Sequence, residues 1–139
     1  MLTRPRRIDC TDGSVMGFYI PHTYWFLNTQ IKPPKDKCHV CVTENDEFFL
    51  VNTDNRKIYE CVPILAANYP FLNGQDRYVS CSRLFKYTPP SEIKDNKCPL
   101  RREDVQAIRD KVENSHVLEQ EYIDKILLAL DNWLINEPI

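Results

Sequence analysis

Between positions 35 and 83, charged and hydroxyl side chains gather at the ends of short apolar runs. Lys35, Lys37 and His39 lie on or just before one run, Asn52, Thr53 and Arg56 close the next, and Ser80, Ser82 and Arg83 fall within another. Brought to one face, such a set suits a phosphate: lysine and arginine stabilise negative charge, imidazole moves a proton, and hydroxyls orient the group. Cleavage of RNA by attack of the ribose 2′-OH on the adjacent phosphate needs little else and no metal. The plainer reading is that these are turn and strand-edge residues that keep sheet edges soluble. Tyr24, Trp25, Tyr69, Phe71 and Tyr78 offer rings on which bases stack, although aromatic residues in strands are core residues by default.

Cys38-His39-Val40-Cys41 has the spacing of half a zinc site, with Cys61 and Cys81 as further thiols. In an extended strand, residues three apart point to opposite faces, and no second pair of this kind follows, so no metal is expected. Redox chemistry of the thioredoxin type wants its first cysteine at a helix N-terminus, and this motif sits in a β-type run. Met1 to Arg7 is basic, but Asp9 and Asp12 interrupt where an apolar leader would begin. No apolar run approaches the roughly 18 residues that span a bilayer. The expectation is a cytoplasmic protein with no membrane segment and mostly free, buried thiols.

A sheet must position these residues. The runs Cys38–Val42, Phe48–Val51, Lys57–Val62 and Arg77–Phe85 follow one another at strand spacing, broken by Asn, Asp, Pro and Gly, which predicts a small antiparallel barrel or strongly bent sheet. Upstream, Val15–Ile20 and Thr23–Leu27 read as strands, and Lys32-Pro33-Pro34-Lys35-Asp36 as a rigid connector. Thr43–Glu47 and Asn52–Arg56 read as hairpin loops. After Thr88-Pro89-Pro90 the apolar period changes to about 3.6. Val105, Ile108 and Val112 mark one helix beginning near Arg102, and Ser115 is placed to cap a second, striped by Leu118, Tyr122, Ile126 and Leu130. Leu128, Trp133 and Ile135 fall partly outside that stripe. At 139 residues with 42% hydrophobic content, the chain reads as one domain over 1–139, with a barrel over about 13–88 and a helical part over about 100–136.

Charge limits the function classes. The net charge is −2, which argues against a protein that grips nucleic acid by bulk electrostatics. The balance is uneven: residues 1–100 hold 13 Lys and Arg against 11 Asp and Glu, and 101–139 hold 5 against 9, leaving room for a basic face on the β part.

In this order the motifs resemble the PemK/MazF-like proteins of toxin–antitoxin systems over about residues 32–130. The resemblance rests on Lys35-Asp36-Lys37 leading into the strand with His39, a strand ending Val51-Asn52-Thr53, Tyr69-Pro70-Phe71-Leu72, and Arg77-Tyr78-Val79-Ser80-Cys81-Ser82-Arg83-Leu84 before two helices. It implies an α+β, mainly β fold: an SH3-like barrel with appended helices, commonly dimeric. It also implies metal-independent endoribonuclease activity restrained by an antitoxin, with no cofactor. Active members place an arginine before the first central strand and Thr or Ser at a later strand end. Here Lys35 or Lys37 and Thr53 occupy those places, and lysine supplies charge without arginine's bidentate fork. On this basis Lys37, Thr53 and His39 are expected as catalytic residues, with Lys35, Arg56, Ser82 and Arg83 contacting single-stranded RNA. The alternative is a non-enzymatic module that uses the same barrel to bind a protein partner. The wide apolar perimeter of the last helix predicts a homodimer.

Overall fold

Six strands form: β1 (His22–Asn28), β2 (Lys35–Cys41), β3 (Glu47–Asn52), β4 (Cys61–Ile64), β5 (Arg77–Lys86) and β6 (Ile93–Pro99). Two helices follow, α1 (Arg102–Glu113) and α2 (Gln120–Asn136). The computed structural model describes residues 18–87 and 93–136, with backbone alone over 93–98. The class is α+β and mainly β, strands first and a helical pair last, as the switch in apolar period predicts. The strand expected over Val15–Ile20 lies largely outside the described residues, and Phe18 to Ile20 precede β1 without joining a strand.

The strands make one antiparallel sheet in the order β4-β5-β3-β2-β1-β6. Among the described residues no ladder joins β4 to β6, so barrel closure is not shown. Only the first expected hairpin forms. Thr43 ties it, its hydroxyl donating to Glu47 Oε1 at 2.8 Å and accepting the Asn45 N–H at 3.1 Å. The second does not form, because β3 pairs with β5 rather than β4. Lys57–Tyr59 coils into a single 3-10 turn, and the strand there begins at Cys61. β6 has no apolar alternation in its sequence, Ile-Lys-Asp-Asn-Lys-Cys-Pro, and was not anticipated.

Alternation along the strands divides the core in two. On one face Tyr24, Phe26, His39 and Phe48 gather with Phe18 and Tyr87, with Phe18 and Phe48 edge to face at 4.8 Å. The other face presents Val62, Ile64 and Val79 to α1, whose Val105, Ile108 and Val112 are buried in the same apolar cluster. The N-terminus of α1 lacks a side-chain cap from Arg101. Tyr69 serves instead: its hydroxyl accepts the Arg101 N–H at 2.7 Å and donates to Asp104 Oδ2 at 2.5 Å. Burial and that carboxylate push the Tyr69 hydroxyl pKa upward.

The two helices are joined by Arg109, which binds Asp131 at 2.8 Å and Glu113 at 2.6 Å. Ser115 caps the turn before α2, accepting the Leu118 N–H at 3.0 Å, while α2 itself begins at Gln120. Glu60, held at φ 52°, reaches this turn from the sheet and accepts from Ser115 Oγ at 2.5 Å and His116 N at 2.8 Å.

Candidate functional site

Cross-strand register determines which polar residues meet. Phe26 faces Lys37 across β1 and β2, and Asn52 faces Tyr78 across β3 and β5. Lys37 continues the β2–β3 ladder beside Asn52, whose Oδ1 accepts from Lys37 Nζ at 3.3 Å. Lys35 shares the face of Lys37 two residues earlier. Thr53 follows directly as an exposed residue in the bend after β3. Arg77 opens β5 and lies within electrostatic reach of Lys37. Partial burial, then the charges of Lys35 and Arg77, lower the Lys37 pKa, with Asp54 opposing them. Arg56 is exposed nearby in sequence and lies 5.8 Å over the Tyr59 ring.

This end of the sheet therefore concentrates like charge around an ammonium group that is already partly desolvated. An anion set there relieves the repulsion, and Asn52 and Thr53 add groups that orient its oxygens. The arrangement can hold a phosphodiester. Arg77 was missed as a site residue because its neighbours come from β2, and strand order is not written in local spacing.

His39 is not part of that surface. It is fully buried, with its ring stacked on Phe26 at 3.8 Å and an interplanar angle of 5°. Its Nδ1–H donates to the Lys37 carbonyl at 3.0 Å, and its Nε2 accepts from Asn28 Nδ2 at 3.1 Å. Burial depresses its pKa to about 3. A neutral imidazole with both nitrogens engaged and no access to solvent cannot shuttle protons to a bound ligand, so the expected catalytic role is corrected to a structural one.

Ser82 and Arg83 are likewise separated from Lys37. Phe85 faces Phe48 and Ser80 faces Leu50, so residues 81–84 of β5 lie opposite Phe49 alone. Such a bulge re-aims side chains. Here it carries Ser82 and Arg83 to a cavity shared with the α1–α2 turn, whose lining does not include Lys35, Lys37 or Arg77. Cys38 and Cys41 lie in one continuous strand and face Val51 and Phe48, so they point to opposite faces.

The chain matches no protein-family model, no curated protein and no solved structure. Among the described residues, no helix is long and apolar enough to cross a membrane.

Proposed function

We propose that the protein binds single-stranded RNA through its phosphates at the end of the sheet where Lys35 and Arg77 lie within electrostatic reach of Lys37. The observation that supports this most is the state of Lys37: hydrogen-bonded to Asn52, with its pKa lowered first by partial burial and then by the charges of Lys35 and Arg77, against Asp54. The PemK/MazF resemblance points to the same ligand. Its endoribonuclease activity would rest here on Lys37 as charge donor and Thr53 as orienting hydroxyl, without His39, so binding is better supported than turnover. The four cysteines whose side chains are described are free thiols, in keeping with action in the cytoplasm.

The test is fluorescence anisotropy with a short, mixed-sequence single-stranded RNA in chelator, at low and at physiological salt. Three phosphate contacts give a log–log salt slope of about −2 for a single strand. Replacing Lys35, Lys37 and Arg77 together by Ala should remove most of that slope and weaken binding at least about tenfold. A triple variant that binds as the parent does would sink the reading. A gel of the same mixtures reports whether the RNA is cut.

A second reading, protein–protein association, is favoured by α2. Leu128 and Ile135, seven residues apart, are 66% and 78% exposed, whereas Trp133 packs partly against the core. The occupant on this reading is a second copy, because one stripe meeting itself across a two-fold axis buries all four side chains. Sedimentation should then give twice the 16.4 kDa chain mass, and Leu128→Glu should restore a monomer.

A further inference from the structure

The cavity beside the β5 bulge has a volume of about 400 Å³, towards the lower end of the range typical of small-molecule sites. Its charged groups are unequally engaged. Glu47 is neutralised, bound by Lys125 at 3.1 Å and by the Thr43 hydroxyl at 2.8 Å. Lys86 donates to the Asn45 carbonyl at 2.5 Å. Among the described residues Arg83 has no carboxylate partner: one Nη2–H goes to the Gln30 carbonyl at 3.2 Å, and the guanidinium lies 4.3 Å over Phe85. Those two contacts orient the fork and leave most of its donors open. Also in the lining, the Glu119 carboxylate has no partner among the described residues, and neither does the Ser82 hydroxyl. The rest of the lining is Gln30 together with Leu84, Val117, Leu118 and Tyr122, and Val117 is 54% exposed.

A simple anion would meet Glu119, and a simple cation would meet Arg83 and Lys86. A zwitterion satisfies both, and an apolar body would cover Val117. We propose that this cavity binds a free α-amino acid with an apolar side chain. Its carboxylate pairs with Arg83, its ammonium pairs with Glu119, and its side chain lies against Leu84, Val117 and Tyr122. This site is independent of the RNA surface, and each proposal stands or falls alone.

The experiment is titration of the full chain with leucine or phenylalanine, followed by amide chemical shifts and calorimetry. Leucinamide, which lacks the carboxylate, and N-acetyl-leucine, which lacks the ammonium, serve as paired probes. Leucine or phenylalanine should bind, with each blocked analogue of leucine at least about tenfold weaker, the scale of losing one charge-assisted contact. Arg83→Gln should abolish the preference for leucine over leucinamide, and Glu119→Gln the preference over N-acetyl-leucine. Both positions are exposed, and an unchanged melting temperature will show that the variants fold. The proposal is overturned if neither amino acid shifts the residues around the cavity, if the blocked forms bind as well as leucine, or if the two variants keep the parent's preferences.

Discussion

Acid should destabilise this protein from about pH 6.5 downward, because two histidines are buried in neutral form. Burial lowers the pKa of His39 to about 3 and that of His22 to about 4, against 6.5 for the free side chain. Well above pH 6.5 both are neutral whether folded or unfolded, and neither affects stability. As the pH falls below 6.5 the unfolded chain takes up protons that the folded chain refuses, so stability is lost progressively towards the folded pKa values. At 1.36 kcal/mol per pKa unit, the step from about pH 6 to about pH 5 removes about 1.2 kcal/mol for each histidine, or about 2.4 kcal/mol together. Against a typical stability of about 5–15 kcal/mol this is a large fraction. The assay is urea unfolding at each pH, followed by fluorescence of Trp25 and Trp133. His39→Phe keeps the ring stack and leaves Asn28 Nδ2 and the Lys37 carbonyl without their partner, costing about 1–3 kcal/mol at neutral pH. It should nevertheless halve the acid dependence, to about 1.2 kcal/mol over the same step. A variant whose stability falls with acid as steeply as the parent's would refute the assignment of His39 as a buried neutral base.

Other outcomes follow from the same contacts. Tyr69→Phe strips the N-terminus of α1 of its acceptor and leaves Asp104 without its donor, and should cost about 1–3 kcal/mol by urea unfolding. Glu60→Ala releases the turn between the helices and should speed hydrogen exchange at His116 and Leu118 while leaving the strands protected. Of the described thiols, Cys61 alone is only partly covered, so a thiol reagent should modify it first and reach Cys38, Cys41 and Cys81 only on unfolding. RNA affinity should show no inflection between about pH 6 and pH 8, since the imidazole nearest Lys37 in sequence does not titrate there.

The sequence made legible what depends on local period and composition. Val105, Ile108 and Val112 mark a helical face because their spacing admits little else, and the Thr43–Glu47 loop lies between two runs rich in apolar residues. What stayed hidden depends on pairing between distant segments. β6 is mostly polar and owes its conformation to β1, with register shifts along the ladder that no local rule supplies. The candidate site shows the same division: Lys37 and Asn52 lie within hydrogen-bond reach because a hairpin links β2 and β3, with Lys35 near Lys37 and Thr53 next in the chain after Asn52. Arg77 joins them only through β5, and the bulge that removes Ser82 and Arg83 is visible only once β3 and β5 are aligned.

His39 shows why residue type is a poor guide to chemistry without its neighbours. The Lys37 carbonyl can only accept, which fixes the imidazole proton on Nδ1 and makes Nε2 an acceptor for the Asn28 amide nitrogen. The Asn28 orientation is fixed in turn, since its Oδ1 accepts from the Tyr87 hydroxyl at 2.7 Å and the Gln30 N–H at 2.8 Å. A second proton on the ring would set two donors against each other, and turning the amide to receive it would leave Tyr87 and Gln30 without their acceptor. Burial is the main cause of the neutral state, and the Asn28 contact adds to it against the Lys37 and Tyr24 carbonyls, which favour the charged ring. By holding the Lys37 carbonyl, the ring fixes the backbone that presents Lys37 to solvent. Its contribution to any ligand at that end of the sheet is made through position, with no proton transferred.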